Sequence, residues 1–177
     1  MWSHAPVTVL GLDPGYDRLG WCIGHVHGGQ FSLVKYGCIQ TQKSDTWTSR
    51  YRSIMTALSV LLREHSPQEA ALEEVFFSVN KKSALQVSEV RGVLLSLLIQ
   101  HDVACFSYGP SAVKLAVAGT GAATKQEVAK MLRLQLGSSL TTMTGAGAAL
   151  DDAWDAVAVA LTHGVLRSSP KTSIRKA

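Results

Sequence analysis

The feature that most constrains this chain is its opening rhythm. An apolar, β-branched run from Val7 to Asp13 (VTVLGLD) is cut off by Pro14-Gly15 and reads as a buried strand stopped by a turn. Two more strand-like stretches follow at once, Gly20 to His25 and Phe31 to Gln40, with His27-Gly28-Gly29 between them as a hairpin turn. Connections this short leave the three strands no choice but to lie as antiparallel neighbours.

After Thr41 the period changes. Thr46 to His65 has helical spacing, with Ile54, Leu58, Leu61 and Leu62 on one side, and Pro67 ends it. Ala70 to Val75 reads as a fourth strand, Lys81 to Gln100 as a helix and Val103 to Ser107 as a fifth strand. Helices then fit Ser111 to Val117, Lys125 to Leu134 and Ala149 to Leu166. Alternating helix and strand implies right-handed crossovers and parallel pairing. The expected fold is therefore α/β: a five-stranded mixed sheet, the three-strand antiparallel meander extended by parallel strands and flanked by helices. Gly137 to Gly147, rich in Gly, Ser and Thr, reads as a linker, and residues 168–177 as a basic, disordered tail to a single domain over 1–167.

Composition agrees with one packed domain: 177 residues, 46% apolar and only 17% charged. Cys22, Cys38 and Cys105 lie in apolar segments without metal or disulfide spacing and read as buried thiols of a reduced compartment. Met1 to Pro6 has no basic n-region, and the longest apolar stretch, Val93 to Ile99, is broken by Ser96, so a soluble, cytoplasmic protein is expected. The net charge of +4 says little about partners, because Arg167, Lys171, Arg175 and Lys176 supply it at the end of the chain. More telling is Lys114 to Arg133, where Lys114, Lys125, Lys130 and Arg133 face one acid, Glu127; this is a candidate phosphate-facing surface or a solvated helix face. The Lys81 to Gln100 helix is apolar on more than one side, which fits either a homodimer contact or deep burial within one chain.

Four carboxylates stand out. Asp13 ends the first strand, where it serves either the Asp-Pro-Gly turn or a site at the carboxyl edge of the sheet. Glu73 follows Ala70-Ala71-Leu72 in a strand parallel to the first and so reaches the same edge; a glutamate there is unfavourable unless paired or bound to metal. Asp151, Asp152 and Asp155 open an apolar helix. Asp152 and Asp155, at i,i+3, project from one face with Ala153 and Ala156 leaving room beside them, although Asp151 and Asp155, at i,i+4, could also pair. His163, at i+8 from Asp155, could approach the sheet and reads as structural. Hard oxygen ligands without a His-Cys pattern select Mg²⁺, with Mn²⁺ able to substitute. Two such ions clamping one phosphate is the arrangement for in-line phosphodiester hydrolysis.

The pieces Gly11-Leu12-Asp13-Pro14-Gly15, Leu72-Glu73-Glu74-Val75-Phe76, Gly119-Thr120-Gly121-Ala122-Ala123-Thr124-Lys125 and Asp152-Ala153-Trp154-Asp155-Ala156 resemble, in order and over about Val7 to His163, the RuvC family of Holliday junction resolvases. The resemblance implies a ribonuclease-H-like fold and a Mg²⁺-dependent homodimeric endonuclease that nicks two strands of a four-way DNA junction symmetrically. It places the metal-binding and catalytic acids on Asp13, Glu73, Asp152 and Asp155, its spacing favouring Asp152 over Asp151. Family lysines near the scissile phosphate fall on Lys114 and Lys125, with Lys125 the catalytic cation, and Phe76 matches an aromatic that stacks on an unpaired base. Lys81 and Lys82 join Phe76, Lys114 and Lys125 as expected DNA contacts, and the branch-migration proteins RuvA and RuvB are the implied partners. Cys22 stands where a Gly is common, and Glu74 where a Gln is frequent; strand alternation puts Glu74 on the face opposite Glu73. The alternatives are another ribonuclease-H-like nuclease of the YqgF RNA-processing type, a junction-binding protein without catalysis, and an actin-like or sugar-kinase ATPase, which would need two such domains.

Overall fold

The structure, a computed structural model, describes residues 5–74, 81–137 and 148–167. Three strands come first: β1 (Val7–Asp13), β2 (Arg18–His27) and β3 (Gln30–Gln40). They form the expected meander, Asp13 opposite Gly20 and His27 opposite Gln30. Gly28 and Gly29 make the two-residue turn with φ of 57° and 82°, the positive values that match the twist of the strands it joins. Helix α1 (Trp47–His65) starts at Thr46, whose hydroxyl accepts from the Ser49 N–H, and stops at Ser66. Strand β4 (Glu69–Glu73), helix α2 (Lys81–Gln100), strand β5 (Ala104–Tyr108) and helices α3 (Pro110–Ala118), α4 (Lys125–Leu136) and α5 (Ala148–Arg167) complete the described chain.

The sheet order is β3-β2-β1-β4-β5, with β4 parallel to both β1 and β5. Alternation along the strands sorts the layers. Leu10, Leu12, Ile23 and Leu72 face α1 and α2, where Ile54, Leu58, Leu94 and Leu98 complete one core. Val9, Cys22 and Ala71 face the other way, against Val113, Val128, Leu132 and the α5 residues Val157 and Ala160. Each fully buried Leu, Ile or Val among these contributes roughly 1.5–3 kcal/mol.

The α5 contact is unusually close. A Cβ on Gly11 would lie 2.4 Å from the Ala156 carbonyl oxygen, and one on Gly20 would lie 1.9 Å from that of Asp152. The helix backbone thus rests directly on β1 and β2. Cys22 fits this seam by donating its S–H to the Ala156 carbonyl at 3.4 Å, and burial pushes its thiol up to about 12. Cys38 and Cys105, expected to be buried, are only half-buried; all three thiols are free. Val75, the end expected for the fourth strand, lies outside the described residues, as do Phe76, the stretch 138–147 and the tail 168–177. Among the described residues no helix is long and apolar enough to cross a membrane.

Candidate active site

Asp13 follows Val9 and Gly11 by twos on β1, so alternation turns it to the α5 side of the sheet. Glu73 follows Ala71 in the same way on β4, which lies parallel to β1. Both carboxylates therefore end at one edge and face one helix. Glu74 is turned away and exposed; its N–H donates to the Tyr108 carbonyl at 2.9 Å.

The same helix brings the other two acids. Asp152 and Asp155 lie past the first turn of α5, so helix capping does not account for them. One carboxylate oxygen from each of Asp13, Asp152 and Asp155 lies within 4.8 Å of the others. Asp151 points to solvent. Glu73 ends β4 at the same edge, close enough for its charge to act on Asp13.

Packing acids this tightly has an electrostatic consequence. Burial, then the charges of Glu73, Asp155 and Asp152, push the Asp13 carboxyl well above the usual range. Burial and the Asp155 charge raise Glu73 as well, and burial raises Asp155 despite its bond from Lys125. A cation among these acids would relieve that repulsion. Asp152 adds a second sign of an incomplete site: its Oδ2 is buried and accepts no hydrogen bond, although Arg18 Nε stands 2.5 Å away as an ion pair. An all-oxygen donor set with excess negative charge fits a hard divalent cation.

Lys125 supplies the positive charge within the site. Its Nζ donates to Asp155 Oδ2 at 2.7 Å. Lys125 is the first residue of α4, where a cation is disfavoured by the helix dipole. A capping box holds the turn regardless: Thr124 Oγ1 accepts from the Glu127 N–H, and Glu127 Oε2 accepts from the Thr124 N–H at 2.7 Å. Burial lowers the Lys125 ammonium pKa, but the hydrogen bond to Asp155 outweighs it and the net shift is upward. Lys114 of α3 lines the same cleft as Glu73, Lys125 and Asp155, a space of about 250 Å³. Lys81 and Lys82 open α2, and Phe76 precedes the described part of that segment.

Two features escaped the sequence reading. Arg18, in a segment read as turn, carried no signal that it would reach Asp152 across 134 residues. Behind the site, His163 is fully buried; it meets Glu69 Oε2 at 2.6 Å and the Tyr108 hydroxyl at 2.6 Å. Arg167 donates to both Glu69 oxygens, at 2.7 and 3.0 Å. Glu69 could have been found as the residue two strand alternations before Glu73.

Known proteins resemble this chain closely. The profile of the RuvC family, described as crossover junction endodeoxyribonuclease RuvC, matches residues 9–163. The RuvC of Petrotoga mobilis is 36% identical over 167 residues, covering 94% of this chain and 99% of that protein. The RuvC of Chloroflexus aggregans is 38% identical over 157 residues, covering 89% of this chain and 92% of that protein. Among solved structures, T. thermophilus RuvC in complex with a Holliday junction substrate superposes with a TM-score of 0.80 and 31% identity, over 92% of this chain and 95% of that one. The yeast mitochondrial Holliday junction resolvase shares the fold at 14% identity, with a TM-score of 0.66.

Proposed function

The chain belongs to the RuvC family, and from that premise we propose that it resolves Holliday junctions by paired, symmetric nicking. The single observation that carries this reading is the convergence of Asp13, Asp152 and Asp155 within 4.8 Å, with Glu73 at the same sheet edge and Lys125 bonded to Asp155.

Asp13, Glu73, Asp152 and Asp155 would hold two Mg²⁺ ions, for which Mn²⁺ would substitute. When bound, these ions supply an activated water and a stabilised leaving oxygen for in-line hydrolysis of a phosphodiester. A cation would take these acids as ligands in their ionised form. Lys125 places its ammonium at the mouth of the cleft, where it offsets charge on the phosphoryl oxygens of the transition state. Lys114, on the cleft wall, holds the backbone of the same strand. Phe76, Lys81 and Lys82 contact DNA near the crossover, Phe76 by stacking on an unpaired base.

Symmetric nicking needs two sites, and the chain acts as a homodimer. Leu85, Gly92 and Ile99 recur every seven residues on the exposed side of α2, and Leu85 and Ile99 are 60% and 68% exposed, a stripe suited to a second helix. RuvA and RuvB, acting with it in the cytoplasm, are its branch-migration partners.

Parallel assays on a four-way DNA junction, a linear duplex of matched sequence and a structured RNA test the reading. The junction should be cut in paired nicks of like polarity, and the other two left intact. Cleavage of the RNA in preference to the junction would assign the chain to RNA processing instead.

A further inference from the structure

Away from the carboxylates, one exposed surface combines aromatic and cationic side chains. Trp47, Tyr51 and Met55 recur at i, i+4 and i+8 on α1, flanked by Arg52 and Arg63, and line a shallow concavity of about 580 Å³. Trp47 is 67% exposed and Met55 41%. Helix α1 packs through Ile54, Leu58, Leu61 and Leu62 on its other side, with Tyr51 partly buried at the edge of that core, and leaves Trp47 and Met55 exposed.

The tryptophan is nonetheless held in place. Its ring meets Tyr51 edge-on at 6.1 Å, and Tyr51 in turn packs on Tyr16 at 5.6 Å. The Tyr51 hydroxyl donates to Glu89 at 2.7 Å, and the Arg50 guanidinium lies 3.7 Å over the Tyr16 ring. A row of three rings therefore runs from the turn just past Asp13 out to the free face of α1. That turn reaches both ways, Arg18 to Asp152 and Asp17 to Arg50. The aromatic row begins at the edge of the sheet that carries the acids.

We propose that this face of α1 is a second DNA contact, which takes a duplex arm of the junction beyond the cleaved phosphate. The proposal rests on the reading of the site as a junction nuclease. The charge pattern selects the occupant. Among the described residues lining the concavity there are two arginines and no carboxylate. Asp17 is engaged by Arg50 and Lys43, Glu89 by Tyr51 and Glu64 by His65, and none of them lines the concavity. A second copy of this chain docking face to face would set Arg52 and Arg63 against themselves, with nothing of opposite sign to meet them. A phosphate backbone satisfies both arginines, and Trp47 offers a flat apolar contact beside them.

The test compares a junction with short arms, which ends before α1, with one whose arms extend past it. The variants are R52E/R63E and Trp47→Ala, both on the helix surface, with thermal unfolding confirming that each folds. R52E/R63E should bind the long-armed junction about tenfold more weakly and flatten the salt dependence of binding by about two counter-ions. Binding and cleavage of the short-armed junction should stay at wild-type levels. Trp47→Ala should weaken only long-armed binding, with the salt slope unchanged. Equal loss on both junctions, or no loss on the long-armed one, overturns the proposal. So does a change in oligomeric state, which would assign the face to a second copy. Wild-type protein that cuts neither junction would instead defeat the underlying reading of the site.

Discussion

Lys125 Nζ and Asp155 Oδ2 meet at 2.7 Å, so the only cation bonded to the carboxylate cluster from α4 is tied to an acid carried by α5. In the proposed mechanism the pair couples the position of the charge-stabilising group to that of a metal ligand. Lys125→Ala should lower the cleavage rate about 10²- to 10³-fold, the effect of deleting one transition-state donor. Junction affinity should change only a few-fold. Lys125→Arg should recover part of the rate. Stopped-time cleavage and a binding titration on the same junction separate the two, and a loss confined to binding would remove Lys125 from the chemistry.

Asp13→Asn should abolish cleavage while leaving junction binding intact. It should also raise the stability of the metal-free protein by about 1 kcal/mol, because a buried acid crowded by Glu73, Asp155 and Asp152 is replaced by a neutral group. Mg²⁺ should stabilise the wild type against heat and the variant much less. Chelation should end wild-type cleavage, and Mg²⁺ or Mn²⁺ should restore it. Wild-type activity that persists in excess chelator would overturn the metal mechanism.

Arg18 would compete with a bound cation for Asp152, since it sits 2.5 Å from an oxygen that otherwise has no partner. Arg18→Ala should lower the Mg²⁺ concentration for half-maximal cleavage by roughly threefold, the scale of one solvent-exposed ion pair. A metal titration at saturating junction measures this, and an unchanged or raised midpoint would count against the competition.

Glu69 carries a pH signature. Burial pushes its carboxyl up, but the bonds from His163 and Arg167 outweigh burial and hold it at about 2. Its folded value lies below the unfolded one, so its stabilisation is complete above about pH 5 and fades as pH falls toward 2. Glu69→Gln should therefore destabilise the protein on the order of 2 kcal/mol at pH 7 and much less near pH 3. Urea unfolding at the two pH values decides it. A penalty that is constant with pH would mean that charge plays no part.

The clamp at Glu69 also bears on how the site is built. Glu73 lies four residues beyond Glu69 on a strand, about 13 Å away, and Asp155 lies eight residues before His163 on a helix, about 12 Å away. Fastening the strand to the helix at one end therefore sets the acids level at the other. No local pattern announces this, because it depends on two different rises per residue happening to match.

What the sequence determined by itself is the part governed by local rules. Short turns forced the β1–β3 meander, and the helix-strand alternation after Thr41 made the later strands parallel. Period-two alternation placed Asp13 and Glu73 on one face and Glu74 on the other. The i,i+3 spacing of Asp152 and Asp155 put both on one side of α5, and ordered motifs pointed to the family. What the tertiary structure alone decided is the meeting of these parts. Gly11 and Gly20 let α5 rest against the backbone of β1 and β2, and only that approach brings Asp152 and Asp155 within reach of Asp13. Arg18 finding Asp152, and His163 closing on Glu69 and Tyr108, likewise depend on distances between segments more than fifty residues apart. Such pairings arise from how layers pack, and packing is a property of surfaces that exist only once the chain has folded.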